Sequence, residues 1–126
     1  MHEYYVAKHT IYQIKKELGE IDPTLVKSVG LKIGKMSGII PDALNMYLNL
    51  IAPEEGLTNA TFDIVLAPVL FQCNDCKNVF EPSRELFWCP KCKSSNVTFI
   101  SGNELEIQYI DVENSTNNNK EVERTT

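Results

Sequence analysis

The chain of 126 residues contains two histidines, one tryptophan and no cysteine outside two closely spaced pairs. Histidine is too scarce for most acid–base catalysis: neither His2 nor His9 has a Ser or spare Cys at a spacing that suggests a nucleophile and its base. Gly34 and Gly38 lack the Lys-Ser/Thr that completes a phosphate-binding loop, so any nucleotide hydrolysis belongs to a partner. Together these absences point to a protein that is not an enzyme. There is no excess of basic charge, the formal balance being −5, which argues against a nucleic-acid partner. No apolar run is long enough to span a membrane. The opening Met1-His2-Glu3-Tyr4-Tyr5 has no basic stretch, apolar core or small-residue cleavage site, so a cytoplasmic protein with reduced or metal-bound thiols is expected. Three sequons, at Asn59, Asn96 and Asn114, are then chance matches in an Asn-rich chain. Internal repeats and heptads are absent too, which excludes solenoids and coiled coils.

What is present is concentrated in the cysteines: Cys73-x2-Cys76-x12-Cys89-x2-Cys92. Two C-x-x-C pairs at this separation close a tetrahedral tetrathiolate site around one Zn²⁺. Iron shares that geometry, but the glycine common after each pair in iron sites of rubredoxin type is missing, and Lys77 and Lys93 stand there. Zinc on four thiolates makes the charge more negative still, so the module is expected to contact protein, with a nucleic-acid-binding zinc ribbon as the alternative.

Hydrophobic periodicity outlines the rest. Ala7, Ile11, Ile14 and Leu18 recur at helical spacing from about Glu3, and Gly19 stops the helix. Val29, Leu31 and Ile33 alternate with polar or small neighbours as in a half-buried strand. Pro41 suits a first helical turn, after which Leu44, Tyr47, Leu48 and Ile51 repeat until Pro53. Phe62, Ile64 and Leu66 predict a second strand, and Leu105, Ile107 and Tyr109, with Glu104, Glu106, Gln108 and Ile110 on the other side, a third paired with the first two. Between them the segment from about Val69 to Ile100 is too short for its own apolar core, and a metal with a few supports (Phe80, Trp88, Val97, Phe99) replaces one. The expected fold is α+β: a small two-helix, three-stranded sheet domain, residues 1–68 plus 101–112, with an inserted zinc-ribbon-like module, 69–100. The nearly apolar-free tail, 113–126, is expected to be disordered. His9, Glu54-Glu55, Glu104 and Glu106 read as solvated surface.

The N-terminus is the second chemically loaded spot. The α-amine, the His2 amide once deprotonated and the His2 imidazole can chelate one metal through fused rings, and a planar nitrogen-rich set selects Ni²⁺ or Cu²⁺. The fourth position is open to the Glu3 amide, the Glu3 carboxylate, water or a side chain from elsewhere.

Met1-His2-Glu3, Leu31-Lys-Ile-Gly-Lys-Met-Ser-Gly38, the two C-x-x-C pairs and Ser101-Gly-Asn-Glu-Leu105 together resemble the HypA/HybF family of nickel-insertion factors in nickel–iron hydrogenase maturation. The resemblance spans roughly residues 1 to 112; it omits the tail and departs at Tyr5, where a small Ser is common. It implies a cytoplasmic nickel metallochaperone with Ni(II) as cargo and Zn(II) as a structural ion. His2 matches the essential nickel ligand, assisted by backbone nitrogens with Glu3 as a further candidate, and Cys73, Cys76, Cys89 and Cys92 match the zinc ligands. Its implied partners are a companion maturation GTPase and the hydrogenase large-subunit precursor. Monomer and homodimer both fit.

Overall fold

The computed structural model describes residues 3–82, 88–113 and 119–123. Helix α1 (Glu3–Leu18) buries Ala7, Ile11, Ile14 and Leu18 as its periodicity predicts, with Val6 and Thr10 beside them. Thr10 is the buried polar residue of this face, and its hydroxyl donates to the Val6 carbonyl at 2.7 Å, so no polar group is stranded there. Gly19, at φ 58°, turns the chain out of the helix. Strand β1 (Val26–Gly34) follows, then a short 3₁₀ turn, then helix α2 (Pro41–Ile51), which buries Leu44, Leu48 and Ile51. Strand β2 (Thr61–Ala67) runs parallel to β1 with Val29 opposite Phe62 and Leu31 opposite Ile64. A parallel pair needs a crossover, and α2 supplies it.

After β2 the chain leaves the first sheet and builds a second from β3 (Leu70–Cys73), β4 (Val79–Phe80) and β5 (Val97–Ser101), in the order β4-β3-β5. It then returns as β6 (Leu105–Glu113), antiparallel to β1. Two sequence motifs meet where it crosses. A Cβ on Gly34 would lie 2.0 Å from the Gly102 carbonyl, so the backbones approach as only glycine permits. The amide of Gly34 donates to the Glu104 carbonyl at 2.8 Å, that of Met36 to the Gly102 carbonyl at 2.7 Å, and the Glu104 carboxylate accepts from the Gly102 amide at 2.8 Å. Glu104, expected to be solvated surface, therefore holds this joint.

Strand β6 differs from its predicted pattern. Ile107, Ile110 and Val112 are buried, Leu105 is 41% exposed, and Tyr109 lies on the opposite side from Ile110. The cause is a bulge: Gly30 pairs with Tyr109 but Leu31 pairs with Ile107, which leaves Gln108 as an extra residue and shifts the alternation by one.

The expectation of a disordered tail also changes. Asn119–Glu123 forms β7, antiparallel to β6 with Val112 opposite Lys120, and the main sheet has four strands in the order β2-β1-β6-β7. Backbone groups on the outer side of β6 make a ready template, and pairing to them needs no apolar side chains, which is why composition gave no sign of it. Residues 114–118 and 124–126 lie outside the described ones.

Candidate metal centre

The four cysteines converge on one point, with all four Sγ atoms within 4.8 Å of one another. Cys73 and Cys92 sulfurs are 3.5 Å apart and Cys76 and Cys89 sulfurs 3.6 Å. Four sulfurs about 2.3 Å from a tetrahedral centre are separated by about 3.8 Å, so the spacing suits one zinc ion. No other group of three or more His, Cys, Asp or Glu side chains among the described residues makes such a cluster.

The two pairs are built alike. In the first, the Cys73 amide donates to the Asn78 carbonyl at 2.9 Å and the Lys77 amide to the Cys73 carbonyl at 2.9 Å. The second repeats this, with the Cys89 amide on the Ser94 carbonyl at 2.8 Å and the Lys93 amide on the Cys89 carbonyl at 2.9 Å. Closing each loop takes a left-handed residue, and these are the non-glycine positions of positive φ among the described residues, Lys77 at 67° and Lys93 at 69°. The missing glycines thus do not signal a different turn; lysine adopts the conformation that glycine would find easy. Each turn aims amides at sulfur. The Cys76 amide is 3.5 Å from Cys73 Sγ, and Cys89 Sγ receives the amides of Lys91 at 3.4 Å and Cys92 at 3.5 Å, with Asn78 Nδ2 at 3.8 Å.

These donors set the electrostatics of the sulfurs. Burial would raise the Cys89 thiol, but the amides of Cys92 and Lys91 outweigh it and bring its pKa down to about 6. The Cys76 amide is the main cause holding Cys73 below the ordinary thiol value. Cys92 is the reverse. The Ser94 amide pulls it down, yet the sulfur of Cys73, then burial, then the remaining sulfurs push it up to about 12. Cys92 is the exposed member of the set.

Side chains that composition did not single out lace the two loops together. Asn74 bonds Asn96 through both backbone and side chain at 2.9 Å, Thr98 Oγ1 donates to Asn74 Oδ1 at 3.0 Å, and Ser94 Oγ donates to Asp75. Short polar residues inside the first pair (Asn74, Asp75) and just after the second (Ser94, Asn96) were the available signal. Of the expected supports, Phe80 is buried and Val97 packs against it, but Trp88 and Phe99 are each 40% exposed. Phe71 fills the central place, meeting the rings of Phe80 and Phe99 edge-on with centroids 6.1 Å away.

His2 lies outside the described residues, and so do Met1 and any ligand set built on them. Helix α1 begins at Glu3, whose carboxylate accepts the Ile40 amide at 2.9 Å just before α2 starts. The Glu3 side chain is thus turned toward α2. Tyr5 is mostly exposed and meets Tyr4 edge-on, with centroids 5.4 Å apart. His9 borders a shallow depression of about 300 Å³ with Gln13, Leu105 and Glu106, in no ligand cluster. No helix among the described residues is long and apolar enough to cross a membrane.

Residues 1–112 match the profile of a family described as hydrogenase/urease nickel incorporation, metallochaperone, HypA. The chain is 32% identical over 113 residues to the hydrogenase maturation factor HypA of Desulfatibacillum aliphaticivorans, covering 89% of this chain and 87% of that one. It is 29% identical over 117 residues to its namesake from Solidesulfovibrio magneticus, covering 90% and 100%. The solution structure of the nickel metallochaperone HypA from Helicobacter pylori superposes with a TM-score of 0.62 at 29% identity, covering 89% of this chain and 97% of that one. A second HypA solution structure gives 0.66 at 27% identity, covering 89% and 96%.

Proposed function

This chain belongs to the HypA family of nickel-incorporation metallochaperones for hydrogenase maturation, and from that premise we propose that it binds Ni(II) at its N-terminus and delivers it to the nickel–iron hydrogenase large-subunit precursor. His2 is the essential nickel ligand in this reading, with the α-amine and backbone nitrogens of the first residues beside it. The observation that carries the proposal is the start of α1 at Glu3. Amides of a helix's first turn take no part in the intrahelical ladder, and the positive pole of the helix favours an amidate formed at its start when a metal displaces the proton. The Glu3 carboxylate accepts the Ile40 amide, so ligation through that oxygen would cost this bond, and the backbone nitrogen of Glu3 is the donor this reading assigns.

Cys73, Cys76, Cys89 and Cys92 hold one Zn²⁺, which supplies the module of residues 69–100 with the core that its few apolar side chains do not. The remainder, 1–68 with 101–112, carries nickel. Nickel held at a chain end exchanges ligands with an acceptor more readily than zinc inside a closed thiolate site. The reaction partners are the precursor and a companion GTPase, and this chain itself breaks no covalent bond.

A Ni²⁺ titration of untagged, zinc-loaded protein beside its His2→Ala variant, followed by visible absorption, tests this. A 1:1 nickel complex is expected in the parent and absent in the variant, with zinc near one equivalent in both. Equal nickel binding by the two proteins rejects the N-terminal site.

A further inference from the structure

Helices α1 and α2 lie side by side and run the same way. The Glu3 carboxylate accepts the Ile40 amide at 2.9 Å where both helices start, Tyr4 meets Tyr47 in the second half of α2 with ring centroids 5.7 Å apart, and Lys15 Nζ reaches Glu55, just past the end of α2, at 3.0 Å. On their solvent side they leave a groove of about 490 Å³. Its floor is apolar, made by Ile11 and Ile51, and Tyr12 stands along one wall. Lys8, Lys15 and Lys16 form the rim. One carboxylate borders it, Glu55, and that is already bridged to Lys15. The ammonium of Lys8 sits 5.6 Å from the centroid of the Tyr4 ring, a contact that leaves its charge unneutralised. In a chain of net charge −5 this is a local reversal of sign.

The two helices that form the groove also expose large apolar side chains to solvent. Tyr5 and Tyr12 on α1, and Met46 and Leu50 on α2, each expose more than half of their surface. Tyr5 and Tyr12 are two turns apart and Met46 and Leu50 one turn apart, so each pair lines a single stripe. A cationic rim around an apolar floor selects an occupant with the opposite pattern. The walls are helices with their backbone bonds made internally, so they offer nothing to an added strand, whereas a third helix packs its ridges into such a groove.

We propose that this groove docks an acidic amphipathic helix of a partner protein, with apolar side chains over Ile11, Tyr12 and Ile51 and carboxylates against Lys8 and Lys16. A helix seated there lies along α1, the element that leads back to the N-terminus, and so brings its protein alongside the chain start. The inference rests on the groove alone and holds whichever metal the protein carries.

The test uses the full chain, zinc-loaded and ¹⁵N-labelled, titrated with a synthetic helical peptide of about 18 residues (~27 Å as a helix) that has leucines on one face and glutamates elsewhere. Comparators are the same peptide with Lys for Glu, and phosphatidylglycerol vesicles. Amide shifts should map to residues 8–16 and 51–55, affinity should fall with added salt, and the double variant Lys8→Glu/Lys16→Glu should bind at least about tenfold more weakly with unchanged zinc content. Shifts elsewhere, equal binding of the Lys peptide, or a double variant that binds as well as the parent would overturn it. Vesicles that shift these residues when the peptide does not would assign the groove to a membrane surface instead. Should the double variant fail to fold, the salt series and the Lys peptide still decide.

Discussion

Tyr109 shows how one side chain depends on what its neighbours lack. Gly30 of β1 pairs with Asp63 on one side and Tyr109 on the other. A Cβ at Gly30 would fall 2.1 Å from the Tyr109 ring, so the phenol crosses the strand only because glycine leaves the space. It then donates to Asp63 Oδ2 at 2.6 Å. That bond favours the protonated phenol, and with burial and the carboxylate charge it raises the Tyr109 pKa above the ordinary value. A raised folded pKa means that the contribution is whole below the unfolded value, about 10, and is lost as pH rises through the folded one. Tyr109→Phe should therefore cost about 1 kcal/mol near neutrality. In urea titrations its deficit should shrink once the pH is raised above the ordinary phenol value of about 10. A deficit independent of pH would mean that the loss does not come from the bond that favours the protonated phenol. The row was invisible in sequence because a bulge placed Tyr109 opposite Gly30.

Among the elements, the joint between the two sheets is the most exacting. Gly34 ends β1 against the Gly102 carbonyl, and a methyl there meets backbone that no rotamer change can move. Gly34→Ala should cost about 3 kcal/mol by overpacking. Gly38 is the control, since it has open space but a φ of +79°, and Gly38→Ala should cost about 1 kcal/mol from backbone strain alone. Equal losses in urea unfolding would show that the close approach does not govern stability. Most elements were legible in sequence: both helices, β1 and β2 come from periodicities that single positions such as Ile14, Leu48 and Ile33 confirm by their complete burial. Strand β7 and the phase of β6 were not, because pairing to an edge and a one-residue bulge leave no compositional mark.

At the scale of the molecule, two cores of unequal kind coexist. The first is a continuous apolar cluster joining α1, α2, β1, β2 and β6. The second has Cys73, Phe80 and Cys89 as its buried members, too little apolar surface to order a segment without the crosslink of a metal. Removing zinc with a strong chelator should therefore abolish amide-exchange protection in β3 and β5 while β1 and β2 keep theirs. Loss of protection in both sheets together would mean that the joint at Gly34 and Gly102 couples them into one unit. The same dependence predicts that zinc is lost on acidification, because protons compete for thiolates that the backbone amides otherwise hold ionised.

Sequence by itself marked the chemistry: spacing and thiol reactivity make two C-x-x-C pairs a candidate metal site, helical and strand periods place most core residues, and the ordered set of short motifs points to the family. Tertiary structure alone decided what depends on distance between segments far apart in the chain. It closed Gly34 against Gly102, gave the Glu3 carboxylate to Ile40, slipped β6 by a residue, and gathered Lys8, Lys15 and Lys16 around Ile11 and Ile51. Local patterns follow from the fixed periods of helix and strand, whereas a bulge, a close backbone approach or a groove between helices exists only once independent elements have packed.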